Sequence, residues 1–383
     1  MSIRKSIRRH FPHTGRKIYF NPASNGPLPI PAFKIVTDSI RMANLAAIRA
    51  QKELFSSLDS IRRNAAKIFG CRQSEAGFGF NTTFGINLAA FGLPLEKGDE
   101  ILLLDVEFPA NVYPWLELRN SGMKVNFIRS QNGFLNIDDL RKAITKNTKV
   151  ISISFVQFFN GYKNDLKKIG EICREHKIYF VVDAIQGAGC EPLRVKNWGV
   201  DIASAGGQKW LLSPQGTGIF YVSEKVQKFL KPPWRSWLGV DWKANWTNLR
   251  DFNKSYVLGA QQYEMGTYPV SLVYALEWSL DFMVKIGIKN IQKHNHFLID
   301  MLIDYLKSEP YYQIASSLEG KYRSSILSFR DTGGKIEKIY EYLTRKSIIT
   351  SMREGCIRVS VHLYNNESDI EILIDTLKKC VPH

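Results

Sequence analysis

Six short apolar runs between about residues 74 and 222 constrain this chain most: ILLLDV from Ile101, VNFI from Val125, VISISFV from Val150, IYFVVD from Ile178, DIASA from Asp201 and TGIFYV from Thr217. Amphipathic or loop segments separate them. One such segment, NDLKKIGEICREHK from Asn164, repeats Leu166, Ile169, Ile172 and Cys173 at three- to four-residue spacing and predicts a helix with one buried stripe. Continuous apolar strands alternating with helices imply an α/β fold: a mostly parallel sheet with helices on both faces. Ligands bind such sheets beyond the carboxyl ends of the strands. Asp183, which closes the run VVD, and Lys209, in the small-residue loop GGQK, are expected there.

The pattern changes after about Pro269. Two long helical stretches, from Ser271 and from Asn290, precede a strand at SSILSFR from Ser324 and a helix over about 334–345. A last strand and helix follow from Cys356. That order predicts a smaller C-terminal α+β domain. The expected division is a basic arm over 1–17, a large domain over 18–268 and a small one over 269–383. The tryptophan-rich stretch from Pro232 to Trp246 is the expected join, with no role in chemistry assigned to it.

Lys and Arg number 52 against 36 Asp and Glu, a formal charge of +16, with extra density in the opening MSIRKSIRRHFPHTGRK. A basic protein of this kind could bind nucleic acid or an acidic membrane surface on an enzyme-like fold. No nucleic-acid-binding motif accompanies the charge, so the arm is read as a solvated extension and the basic surface as an attraction for carboxylates and phosphates. No apolar run is long enough to span a membrane and the N-terminus lacks a hydrophobic signal region. The five cysteines show no CxxC spacing and read as reduced thiols. The expectation is a cytoplasmic protein without a metal site.

Asp183 followed by Gln186, then GGQK ending at Lys209, then IRVSVHLYN from Ile357, stand in an order that resembles the class V aminotransferase family of fold type I pyridoxal phosphate enzymes. That family includes cysteine desulfurases, kynureninase and isopenicillin N epimerase-like proteins. The resemblance spans about Tyr19 to Asn366. It implies pyridoxal 5'-phosphate held as a Schiff base by Lys209, with Asp183 on the pyridine nitrogen and Gln186 on the phenolic oxygen. NTTFGINLAA from Asn81 resembles the phosphate turn, with Thr82 and Thr83 as ligands beside Gln208. Where the family usually has Ser-x-His-Lys, this chain has Gly206-Gly207-Gln208-Lys209, which removes one phosphate hydroxyl. Phe108 takes the place of the ring stacked on the cofactor, usually histidine in desulfurases, and Gln157 that of a polar contact. Arg358 would hold the substrate α-carboxylate. Asn25, in the entry turn NPASNGPLP, is a second substrate contact. Thr267, in GTYP, would reach the phosphate of a neighbouring subunit and so implies a homodimer with shared sites.

The resemblance implies an enzyme acting on an amino acid by transamination, epimerisation or lyase chemistry. The alternative is a C–S lyase: between Ile348 and Arg358 there is no room for the mobile loop that carries a persulfide cysteine, and the only thiol, Cys356, lies two residues before Arg358.

Overall fold

The computed structural model describes residues 7–45, 51–242 and 247–382. Strand β1 (Ile18–Tyr19) is the first strand. The large sheet contains β2 (Ala76–Gly79), β3 (Glu100–Leu104), β4 (Lys124–Ile128), β5 (Thr148–Ser154), β6 (Tyr179–Asp183), β7 (Ile202–Gly206) and β8 (Gly218–Val222). They lie in the order β2-β8-β7-β6-β5-β3-β4. The pairs from β7 through β6, β5 and β3 to β4 are parallel, while β8 runs antiparallel to both its neighbours. The expected mostly parallel α/β sheet is therefore present. All residues of β3, β7 and β8 are buried, as strands covered on both faces must be.

β2 escaped the sequence pattern because it reads AGFG rather than as an apolar run. Packing explains the glycines. A Cβ on Gly77 would lie 2.3 Å from the ring of Phe220 on β8.

Helices α1 (Ile30–Asn44) and α2 (Gln51–Phe69) precede the sheet; α3 (Thr82–Gly92) and α4 (Leu166–Glu175) lie within it in sequence. The predicted stripe of α4 is buried at Leu166, Ile169, Ile172 and Cys173. Helices α5 (Val270–Ile286) and α6 (Ile288–Ser308) follow. A second sheet of β9 (Tyr312–Ile314), β10 (Ile326–Asp331), β12 (Ser351–Arg353) and β13 (Cys356–Ser360) has the order β12-β13-β10-β9 and is antiparallel throughout. Between them β11 (Ile348–Ile349) pairs with β1, and helices α7 (Ile336–Arg345) and α8 (Glu367–Lys378) complete the chain.

The core does not divide at residue 269. Helix α5 packs on α1 and α2 and gives Val273, Leu276, Leu280 and Met283 to the core of the large sheet. The second core begins with Leu298 on α6, and Phe20 from the start of the chain belongs to it. Residues 7–17 are not a solvated extension: Phe11 is fully buried and Arg8 pairs with Asp369 at 2.7 Å. Residues 1–6 of the basic arm and residues 243–246 of the tryptophan-rich stretch lie outside the described residues.

Candidate active site

A cavity of about 300 Å³ opens at the carboxyl ends of β6 and β7. Thr82, Thr83, Phe108, Asp183, Gln186, Gln208, Lys209 and Arg358 line it, so most of the residues singled out in the sequence meet in one place. Asn25, Gln157 and Thr267 do not line it. Asn25 sits one residue beyond the lining Ser24, its Oδ1 accepting from Gln215 at 3.4 Å. Gln157 is fully buried and donates to Glu107 at 2.8 Å. Thr267 is exposed at the turn into α5.

Asp183 ends β6 because the chain must leave the sheet there. Its Oδ1 accepts the Ile185 N–H at 2.9 Å, an Asx-type turn. Burial pushes this carboxyl well above the usual carboxylate range; the Ile185 bond opposes the rise, Glu107 adds to it and Lys209 opposes it. The amine of Lys209 moves the other way. Burial lowers it most, Asp183 raises it, and Arg358 and Arg353 lower it further. A lysine depressed in this way keeps a larger neutral, nucleophilic fraction near neutral pH than an exposed one. Its Nζ stands 5.4 Å from the centre of the Phe108 ring.

The turn bearing Lys209 is clamped from several sides. Gly26 N–H donates to Gln208 O at 2.7 Å, and a Cβ on Gly26 would fall 2.1 Å from the carbonyl oxygen of Lys209. Trp210 Nε1 donates to Gln186 Oε1 at 2.9 Å, and the Gln186 amide donates to Ala23 O at 3.0 Å. His362 accepts the Leu363 N–H on Nδ1 and so presents Nε2–H to Trp210 O at 3.0 Å. None of these bonds uses the Lys209 side chain.

At the start of α3 the cap is Asn81, whose Oδ1 accepts from Phe84 N at 2.9 Å. Thr82 and Thr83 are thereby released from capping. Thr82 Oγ1 accepts the Gly206 N–H at 3.0 Å and keeps its own hydrogen, while Thr83 is exposed. The buried Gln208 Oε1 has no hydrogen-bond partner. Whichever way that amide points, a buried polar atom facing the cavity calls for a ligand atom.

Arg358, on β13, is 1% exposed. It donates to Ser351 Oγ (3.1 Å), Ser24 Oγ (2.7 Å), Asn21 Oδ1 (3.4 Å) and the Phe158 carbonyl. No carboxylate is among the charges that act on it, and burial lowers it to about 9. A desolvated guanidinium without an acidic partner is costly, and a carboxylate ligand would supply the missing charge.

Two further residues, Arg353 and Glu107, could not be read from sequence. Arg353, from β12, lines the cavity beside Arg358, and Ser24 joins them. Glu107 directly precedes Phe108 and is buried, bonded to Asn111, Ser154 and Gln157. Burial pushes its carboxyl up.

The family model described as "Aminotransferase class-V" matches residues 37–373. The chain belongs to the class V aminotransferase family. Membership makes it a pyridoxal phosphate-dependent enzyme. Similar proteins include a probable cysteine desulfurase of Methanothermobacter thermautotrophicus, 27% identical with 98% of this chain and 97% of the other covered. An uncharacterized aminotransferase of Bacillus subtilis is 27% identical, covering 85% and 84%. Among solved structures, the apo cysteine desulfurase of Thermococcus onnurineus NA1 superposes with a TM-score of 0.88 at 22% identity, covering 100% and 98% of the two chains. That last likeness establishes the fold.

Proposed function

We propose that this class V enzyme acts on an amino acid through Lys209, with transamination, epimerisation or lyase chemistry at the α-carbon. The observation that carries the reading is the meeting of Lys209, Asp183 and Arg358 in one cavity, each buried and without an ion-pair partner within 4.0 Å among the described residues. The donor set fits pyridoxal phosphate. When bound, that cofactor supplies an aldehyde that bonds to amines and a ring that draws electrons from the α-carbon. Lys209 is the amine for that aldehyde. Asp183, already displaced upward by burial, would regain its charge beside a protonated ring nitrogen. Thr82 and Thr83, at the start of α3, and Gln208, on the lysine turn, offer hydroxyl, N–H and amide groups to a phosphate. Phe108 provides a flat apolar wall. With the cofactor bound, Lys209 would stand where it can remove and return the α-proton of the substrate.

Gln186 reaches the phenolic oxygen with the hydrogen its bond to Ala23 leaves over. Gln157 acts through Glu107 and Phe108 rather than by contact. Asn25 adjoins the substrate through Ser24. Thr267 serves the phosphate of a second subunit. Exposed Phe33 and Ile40 on α1 support a homodimer, since apolar side chains of that size favour a partner. Five unpaired cysteines are in keeping with a cytoplasmic protein. Among the described residues no helix is long and apolar enough to cross a membrane.

A C–S lyase is the second reading, favoured by the relative named as a probable cysteine desulfurase. A persulfide relay on this chain is disfavoured by the β12–β13 hairpin. Its turn is Glu354 and Gly355, both at positive φ, and leaves no loop to carry a thiol. Cys356 is buried within β13 and its thiol is pushed up by that burial.

The test is to load the purified protein with cofactor, add the common amino acids and their sulfur analogues one by one, and follow the visible spectrum with assays for oxo acid, sulfide, ammonia and inverted configuration. A spectrum that none of them perturbs would refute the reading. For Arg358→Ala we expect a KM about tenfold or more higher with cofactor absorbance retained, as one charge-assisted bond to carboxylate is lost. An unchanged KM would remove Arg358 from the substrate site.

A further inference from the structure

Glu107 is a buried acid to which the proposed chemistry gives no task. It follows β3 and does not itself line the cavity. Its carboxyl accepts from four donors: the Asn111 amide (2.9 Å), the Ser154 N–H (2.9 Å), the Ser154 hydroxyl and the Gln157 amide (2.8 Å). Asn111 is fixed in that sense, because its Oδ1 already takes the Ser152 hydroxyl at 2.6 Å and the Trp115 indole N–H at 3.5 Å. Burial favours the neutral form of Glu107, the four bonds favour the charged one, and among the described residues no cation acts on it. A carboxyl that meets only donors is solvated by them as an anion.

Ser154 links this acid to the site. It gives Glu107 two of the four bonds and is the residue opposite Asp183 in the β5–β6 ladder. Neighbouring strands stand about 4.8 Å apart, so one residue separates the two carboxyls. They are unequally provided. Asp183 takes a single N–H, that of Ile185 on Oδ1, which leaves Oδ2 for a proton or a ligand. Two buried carboxyls so close do not both ionise, and the one with more donors keeps the charge. Of the other charges here, Lys209 faces Asp183 and favours its anion, while Arg353 and Arg358 act on Lys209.

We infer that Glu107 is a positioning residue that holds the negative charge of this pair and so keeps a proton on Asp183 while the cofactor is absent. The inference rests on the proposed pairing of Asp183 with the ring nitrogen, and it adds what readies that acid. When a protonated ring nitrogen arrives, Asp183 releases its proton to solvent and accepts the ring N–H in its place. Glu107 stays charged behind it and strengthens the hold on the ring proton.

Pyridoxine 5'-phosphate tests this without turnover, since it carries the ring nitrogen but no aldehyde to react with Lys209. Its binding just below neutral pH is followed by calorimetry in buffers of different ionisation heat, beside an analogue with a ring C–H in place of the nitrogen. We expect the nitrogen-bearing ligand to release about half a proton or more per site beyond the analogue, and Glu107→Gln to cut that excess by about threefold or more. Infrared difference spectra should show a protonated-carboxyl band that disappears on binding and is missing from Asp183→Asn. Ser154→Ala removes one donor from Glu107 and keeps the backbone bond. It should lower the excess in the same direction, and it serves where Glu107→Gln does not fold. An excess unchanged in these variants would overturn the inference and leave Glu107 a brace for its loop. So would a parent that releases no excess proton. If Asp183→Asn weakens the two ligands equally, the pairing of Asp183 with the ring nitrogen itself fails, and the inference with it.

Discussion

Lys209→Ala is expected to abolish the borohydride-trappable bond to the cofactor and to reduce turnover by about a thousandfold or more. Both effects come from one atom. Among the described residues Nζ is the sole amine lining the cavity, and it sits beyond the end of β7, where Gly26 and His362 pin the turn through backbone carbonyls and Gln186 through the Trp210 indole, none of them through the Lys209 side chain. Removing the amine therefore takes away the nucleophile and the proton carrier while leaving the pocket walls in place. Non-covalent cofactor binding through the α3 start and Asp183 should survive, seen as a free-aldehyde absorption band. A tryptic peptide still labelled after reduction of the Lys209→Ala protein would assign the covalent bond to a different lysine and refute the site.

The largest expected effect on stability lies away from the cavity. Glu264 is fully buried and accepts from Arg62 Nε (2.8 Å) and Nη2 (2.6 Å), from the Phe78 N–H (3.0 Å) and from the Tyr268 hydroxyl (2.7 Å). It thereby joins helix α2, the β2 edge of the large sheet and the turn that leads into α5. Arg62→Ala should destabilise the fold by about 3–5 kcal/mol, because it leaves a buried carboxylate without its cation. Urea unfolding measures this directly. A loss below about 1 kcal/mol would show that water or another cation reaches Glu264. Pairing Arg62→Met with Glu264→Leu should recover only part of the loss, since the Phe78 N–H and the Tyr268 hydroxyl would then lack an acceptor.

The parallel strands of the large sheet were legible because each is a continuous apolar run, and Asp183 and Lys209 because an acid or a lysine directly after such a run stands out. β2, β9 and β12 were not. They are short, and β2 is half glycine, so that its place depends on Phe220 across the sheet rather than on its own residues. Arg353 reads in sequence as a charged residue before a turn, and only the folded hairpin carries it back over the cavity. Glu107, in DVEFPAN, looks like a loop acid; its burial among Asn111, Ser154 and Gln157 arises from elements some 50 residues apart in the chain. Asn81 takes the cap of α3, which the neighbouring threonines could equally have done by residue type. The arm was misjudged because its charge hides Ile7 and Phe11, the residues that dock it.

Gly26 has a consequence for how the enzyme matures. The segment that presses on the lysine turn is made well before the two arginines that bond to its Ser24, which lie 329 and 334 residues further along the chain. A nascent chain that ends before the β12–β13 hairpin thus has Gly26 and Gln186 on the lysine turn but lacks His362 and the arginines of the anion receptor. Vitamin capture should therefore report that the β12–β13 hairpin has been made, and holoenzyme formation should protect the Gly26 segment and that hairpin from proteases together, since a ligand that favours only the folded form raises the stability of every part of it.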